Sequence, residues 1–165
     1  MIASFDYRET LQGIALLESK FQRFLAERPE AAEALRSIAR EAAGIQGEIR
    51  SLIDEMTAVH CPGCATPCCQ SLPVQGWFSE SDYYVYRMLH EPPEPLLVSG
   101  GPALGCRFLG RGGCVLPGDA RPFACVKVNC RALSEALEQE AMEDRFSRLS
   151  ARLDALQRRI WTFIR

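Results

Sequence analysis

The sequence lacks the segments that direct a protein into or across a membrane. Nowhere do about 18 apolar residues follow one another, which is the length that a membrane-spanning helix needs. The first ten residues, MIASFDYRET, contain no basic stretch followed by an apolar run, as a secretory signal would. We therefore expect a cytoplasmic protein with no membrane association.

The chain also contains few histidines and carries little net charge. The chain has two histidines and a net charge of -2, which argues against a generally nucleic-acid-binding surface. Residues 145–165 do carry six arginines and one aspartate, but we expect this basic stretch to be a solvated helix face. Neither a serine, histidine and carboxylate arrangement nor a pair of catalytic carboxylates can be identified. The sequence therefore favours a protein without enzymatic activity but leaves that question open.

Cysteine, in contrast, is abundant and confined to the middle of the chain. All eight cysteines and nine of the ten prolines lie within residues 61–130, while helix-forming residues fill both flanks. A chain of 165 residues buries an ordinary core without disulfides. In a reducing cytoplasm, closely spaced cysteines are more often metal ligands or redox groups than structural bridges. The cysteines are therefore expected to bind metal.

The flanks carry apolar residues at helical spacing. A first helix is predicted over about residues 4–27, and Pro29 is expected to end it and to open a second helix. The second helix and a last helix that starts near Ala132 each carry an apolar seam with alternating three- and four-residue steps, as in a coiled coil. The seams are Leu35, Ile38, Ala42, Ile45, Ile49, Leu52 and Met56, and Phe146, Leu149, Leu153, Leu156, Ile160 and Phe163.

Charged residues beside the seams predict how these helices pair. Glutamates flank one seam and arginines flank the other, both at seven-residue intervals. In an antiparallel pair, equivalent flanking positions face each other, and the residue numbers of each pair then add up to 200. The predicted pairs are Glu41 with Arg159, Glu48 with Arg152, and Glu55 with Arg145. We expect an antiparallel hairpin whose open end, near residues 58 and 132, receives the cysteine segment; a swapped homodimer satisfies the same pattern.

The middle segment contains two local structural signals. Ser79 followed by Asp82 predicts the capped start of a short helix that ends near His90, and CRFLGRGGCVL predicts a small β-hairpin. Aromatic residues of this segment are expected to keep water away from a metal. They are Trp77, Phe78, Tyr83, Tyr84 and Phe108.

The cysteines form four groups, Cys61 and Cys64, Cys68 and Cys69, Cys106 and Cys114, and Cys125 and Cys130. The first group is a CxxC motif, whose spacing lets two thiolates converge on one ion. Thioredoxin-like redox motifs share this spacing, but three further groups favour a metal site. Adjacent cysteines tend to point apart, so the eight thiols predict one or two sites that hold zinc or an iron-sulfur cluster.

The motifs CPGCATPCC, CRFLGRGGC and RPFACVKVNC resemble those of the YkgJ-type cysteine-cluster proteins, a family described as having a zinc- or iron-chelating domain. The resemblance covers roughly residues 61–130 and includes Arg121 and Pro122. It implies that all eight cysteines take part in metal chelation. One branch of the family resembles lysine N-methylases that act on flagellin and are described as holding iron and sulfide.

Together these observations predict a mainly α fold: an antiparallel helical hairpin or three-helix bundle with a loop-rich, metal-stapled cysteine module, including a small β-hairpin, inserted between the second and last long helices. We expect one domain, with a helical pair (1–60), the module (61–131) and a C-terminal helix (132–165) that packs back. The predicted function is metal binding, mainly as a structural and interaction module whose helical surface receives a protein partner. The alternative is an iron-sulfur redox protein or enzyme component, with electron transfer or an N-methylase-like activity.

Overall fold

Six α-helices account for most of the residues that the computed structural model describes, which are 7–60, 79–93, 109–110, 113–114, 116–127 and 130–165. The helices are α1 (Tyr7–Glu27), α2 (Pro29–His60), α3 (Glu80–Leu89), α4 (Phe123–Lys127), α5 (Arg131–Gln139) and α6 (Glu143–Ile164). The prediction of a mainly α fold is confirmed. No helix within these ranges is long and apolar enough to cross a membrane.

The long helix α2 lies at the centre of the fold, because it packs against α1, α3, α5 and α6. Its contact with α6 is the most extensive in the described part of the chain. Arg159 Nη1 lies 3.6 Å from Glu41 Oε2, and Arg145 Nη2 lies 3.8 Å from Glu48 Oε2. Residue numbers therefore rise along α2 as they fall along α6, and the two helices are antiparallel, as predicted.

The register of this helix pair differs from the predicted one. The pair of Glu41 with Arg159 is confirmed, but Glu48 contacts Arg145 instead of Arg152. Neither Glu55 nor Arg152 has an ion pair within the described ranges. The residue numbers add up to 200 in one observed pair and to 193 in the other, so the register lies between them. The two residues of each ion pair are then about half a heptad away from lying directly opposite each other. This offset is roughly 5 Å along the helix axis, a distance that long side chains can span.

Arg28 connects the turn between α1 and α2 to the far end of α6. Its guanidinium donates hydrogen bonds to the carbonyl oxygens of Phe163, at 3.0 Å, and of Arg165, at 3.2 Å. The last carbonyls of a helix have no partner within the helix, and an arginine near them both donates to them and complements their negative charge. Arg28 therefore holds this end of the bundle together.

The predicted last helix is two helices. The chain turns between α5 and α6 at Ala141, whose φ is 54°. The amide of Met142 donates to the carbonyl of Leu137 at 2.8 Å, and that of Ala141 donates to Glu138 at 3.1 Å. These two bonds form the Schellman motif that commonly ends a helix. The motif usually has glycine at the position of Ala141, so the sequence EQEAMED gave no indication of the break.

Helix α3 begins as predicted, but its aromatic residues belong to the bundle core. Ser79 is its N-cap residue and forms a reciprocal capping box with Asp82. The buried Tyr84 ring packs 5.4 Å from the ring of Phe21 and 5.3 Å from that of Phe24, both on α1.

Tyr84 therefore packs in the bundle core, and the hydroxyl of Tyr83 donates to Glu18 on α1 at 2.8 Å. The expected role of these aromatic residues in keeping water away from a metal stays a prediction. The apolar stripe of α1 needs a partner, and α3 supplies it. Trp77, Phe78 and Phe108 lie outside the described residues.

Two short strands pair within the middle segment, β1 (Leu109–Gly110) and β2 (Gly113–Cys114). They are antiparallel, with Leu109 opposite Cys114. A pairing of two residues per strand does not make the inserted β-hairpin module that the sequence predicts. The fold shown is helical, and the module stays a prediction.

Candidate metal centre

The described part of the chain contains three of the eight predicted ligand residues. Cys114 lies on β2, Cys125 on α4, and Cys130 at the N-cap position of α5. The Cys125 and Cys130 residues are exposed. The predicted ligands Cys61, Cys64, Cys68, Cys69 and Cys106 lie outside the described residues. Within the described ranges no group of three or more His, Cys, Asp or Glu residues is placed to hold a metal ion.

Helix α4 packs on the core with one face and exposes Cys125 on another. Phe123 and Val126, three residues apart, are both buried in the core. A three-residue step returns to the same face of a helix, so these two side chains anchor α4 to the bundle. Cys125 lies between them in sequence and is exposed. The helix therefore holds Cys125 at the surface on a backbone fixed by the core.

Both ends of α4 are tied to neighbouring helices. At its start, the backbone amide of Phe123 donates to Asp82 Oδ1 on α3, at 2.9 Å. At its end, the ammonium group of Lys127 forms an ion pair with Asp154 on α6. The position of Cys125 thus depends on α3 and α6 as well as on the core contacts of α4 itself.

The segment before α4 is docked on the side of α2. Gln46 of α2 is fully buried, and its Nε2 donates to the carbonyl of Arg121 at 2.7 Å. The 3-10 turn Gly118–Ala120 approaches so closely that a Cβ on Gly118 would lie 2.1 Å from Arg50 Nη1.

This contact revises the predicted position of the cysteine segment. Arg50 precedes the end of α2 at His60 by ten residues, a distance of about 15 Å along the helix. The prediction that the open end of the hairpin receives the segment is therefore wrong for residues 116–127. The physical reason is that Gln46 offers these residues a buried hydrogen bond partway along α2.

Asp82 is the most buried carboxylate near α4, with 5% of the residue exposed. It accepts hydrogen bonds from the amide of Phe123 and from the amide and hydroxyl of Ser79. Burial raises the pKa of Asp82 above its usual value, and these hydrogen bonds and the charge of Lys127 oppose the rise. The capping role of Asp82 was predicted from Ser79, but its bond to α4 was not.

Arg121 has a buried donor without an acceptor. Its Nε is buried and makes no hydrogen bond within the described ranges. The nearby Asp119 lies beside His90, with 3.7 Å between Oδ1 and Nε2. Leaving such a buried donor unsatisfied costs roughly 1–3 kcal/mol.

His90 stands at the end of α3, where the sequence predicts it. Its backbone amide donates to the carbonyl of Tyr86 at 2.9 Å, and its ring lies 5.2 Å from the Tyr86 ring. This position agrees with the prediction of a helix-end residue.

Comparisons with protein-family models, with curated proteins and with solved structures give no match for this chain.

Proposed function

We propose that this chain is a metal-binding protein whose cysteine cluster chelates zinc or an iron-sulfur centre, and that the metal mainly fastens the loop-rich middle of the chain to the helical bundle. The observation that carries the proposal is α4, which is anchored by Phe123 and Val126 and keeps Cys125 exposed. An exposed cysteine on a rigid support is accessible to a metal ion, whereas an inert cysteine is usually buried.

The chemistry of the donors agrees with this proposal. Thiolates are soft ligands that select zinc or iron-sulfur clusters over magnesium or calcium. Four thiolates around one ion give the centre a net negative charge, and the charge of Arg121, whose buried Nε makes no hydrogen bond in the described structure, would offset part of it. Cys130 at the start of α5 supplies a second exposed thiol five residues after Cys125.

The remaining ligands are proposed from the sequence. With eight thiols the chain can fill two four-thiolate sites, or one site with four thiols left over. We also propose that the segment CRFLGRGGC folds as a small hairpin, for which the pairing of Leu109 with Cys114 is the support. Kinship with the YkgJ-type proteins, a cytoplasmic location and a protein partner on the helical surface belong to the same proposal.

The test is metal analysis of protein purified without oxygen. Wild-type protein, Cys125→Ser and Ala124→Ser are compared for zinc, iron and acid-labile sulfide per chain. Ala124→Ser is the matched control, since it adds the same hydroxyl one position earlier on α4 and removes no thiol. We expect Cys125→Ser to lower metal content or affinity, and Ala124→Ser to leave both unchanged.

The same analysis separates the two kinds of centre. Colourless protein with zinc supports the structural role, while brown protein with iron and sulfide supports the alternative of a redox protein or enzyme component. Wild-type protein without a stoichiometric metal of either kind would contradict the proposal.

A further inference from the structure

The carboxylate of Asp82 serves two helices at once. Its Oδ2 accepts the amide of Ser79 at 3.2 Å and so completes the cap of α3. Its Oδ1 accepts the amide of Phe123, the first residue of α4, at 2.9 Å. The first amides of any helix have no acceptor within the helix. Asp82 therefore supplies from α3 the acceptor that the start of α4 lacks.

The environment of this carboxylate makes the bond to α4 difficult to replace. Asp82 and its neighbour Ser81 are buried, and Ser81 Oγ accepts a hydrogen bond from Gln157 of α6 at 3.2 Å. Water has little access to the amide of Phe123, which lies against a residue only 5% exposed. The ion pair between Lys127, at the other end of α4, and Asp154 is more accessible, because the Asp154 side chain is 46% exposed. Exposed ion pairs contribute little to stability.

Cys125 lies two residues after the amide that Asp82 binds. Its own amide donates to the carbonyl of Pro122 at 2.9 Å, so the backbone from Pro122 to Cys125 forms one turn. A shift of Phe123 would move this turn and the thiol on it. The side chain that fixes Phe123 therefore also fixes the direction in which Cys125 presents its sulfur.

We propose that Asp82 is a positioning residue of the metal centre, which holds Cys125 in place through its hydrogen bond to the Phe123 amide. The inference rests on the proposed function, because it assigns Asp82 a role toward a ligand of that centre. Groups that orient metal ligands from outside the coordination sphere typically change metal affinity by about 10- to 100-fold when they are removed. The loss of the Asp82 acceptor is expected to fall in that range.

Three variants separate the bond to α4 from the cap of α3. Asp82→Ala removes both. Asp82→Asn keeps an oxygen that can accept from Phe123, but its amide group cannot accept from the Ser79 backbone. Ser79→Ala weakens the cap and leaves the bond to Phe123 intact. If positioning is the role, Asp82→Ala loses metal affinity while Asp82→Asn and Ser79→Ala stay within about threefold of the wild type.

The first readout is Zn²⁺ affinity, measured by competition with a chromophoric chelator, since either kind of centre uses thiolates that bind Zn²⁺. The second is hydrogen exchange of the Phe123 amide in metal-free protein, which reports the bond without any metal. We expect faster exchange in Asp82→Ala and near wild-type exchange in Ser79→Ala. A structural role limited to the cap would affect all three variants alike.

The outcomes distinguish this inference from the proposed function. Equal Zn²⁺ affinity in wild type and Asp82→Ala overturns the inference alone. A loss of Zn²⁺ affinity in Asp82→Asn beyond that in Ser79→Ala, with exchange of the Phe123 amide unchanged, also overturns it, and this comparison remains decisive if Asp82→Ala does not fold. A wild-type chain that binds no Zn²⁺ and holds no iron overturns the proposed function, and the inference with it.

Discussion

Glu18 joins α1 to α3, and its ionisation gives a stability that depends on pH. Arg87 donates to its two carboxylate oxygens from Nε at 2.7 Å and from Nη2 at 3.1 Å, and Tyr83 donates its hydroxyl at 2.8 Å. The hydrogen bonds from Arg87 lower the pKa of Glu18 from 4.5 to about 2, although burial opposes this. The charged carboxylate is therefore favoured in the folded state.

The sign and size of the effect follow from the pKa. A carboxyl group whose pKa is lower in the folded state stabilises the protein above pH 4.5, and this contribution is lost as the pH falls toward about 2. The difference in pKa corresponds to at most about 3 kcal/mol. Because 24% of the Glu18 side chain is exposed, solvent screening reduces the expected contribution to about 1–2 kcal/mol.

The assay is urea unfolding followed by circular dichroism for wild type and Glu18→Gln at pH 7 and pH 3. The two proteins share every other titrating group, so their difference in free energy of unfolding isolates Glu18. We expect about 1–2 kcal/mol at pH 7 and clearly less at pH 3. Glu33→Gln, at a side chain that is 68% exposed, is the control and should change stability by less than about 0.5 kcal/mol. A Glu18→Gln difference of the same size at both pH values would refute the reasoning.

Two further predictions concern the helical hairpin. Ala141→Gly should raise the free energy of unfolding by about 1 kcal/mol in urea titration, because glycine adopts the positive φ of this residue without the steric cost that Cβ adds; a loss of stability would contradict the Schellman geometry. A double-mutant cycle should give Glu48 and Arg145 a coupling energy of about 0.3–1 kcal/mol, and Glu48 and Arg152 a value near zero. Coupling to Arg152 instead would restore the register with the constant sum of 200.

The sequence predicted the features that depend on residues close together in the chain. The three- and four-residue steps of the apolar seams require helices, and seam residues such as Leu35, Ile49 and Leu153 are buried in α2 and α6. The cap of α3 needs only Ser79 and Asp82, three residues apart, and it formed as predicted.

The features that the sequence did not predict depend on alternatives of similar energy or on distant contacts. An arginine side chain reaches half a heptad in either direction, so Glu48 can pair with Arg145 or Arg152 and charge alone does not set the register. The break at Ala141 occurs without glycine or proline, because the backbone bonds of the turn offset the cost of the positive φ.

Part of the candidate site carried a sequence signal that was missed. Gln46 follows Ala42 by four residues and precedes Ile49 by three, so it shares their buried face. A polar side chain at such a position indicates a buried hydrogen-bond partner, and that partner is the carbonyl of Arg121. No local signal indicates that Asp82 contacts Phe123, because 41 residues separate them. Cysteine spacing likewise predicts ligands without fixing which thiols share an ion.

X-ray absorption spectroscopy at the edge of the metal found in the wild-type protein tests the central claim most directly, because it reports the atoms bound to that metal. The proposal predicts a first shell of sulfur, with metal–sulfur distances of about 2.3 Å for a zinc site. A first shell of nitrogen and oxygen at about 2.0–2.2 Å, without sulfur, would contradict the claim that the cysteines are the ligands.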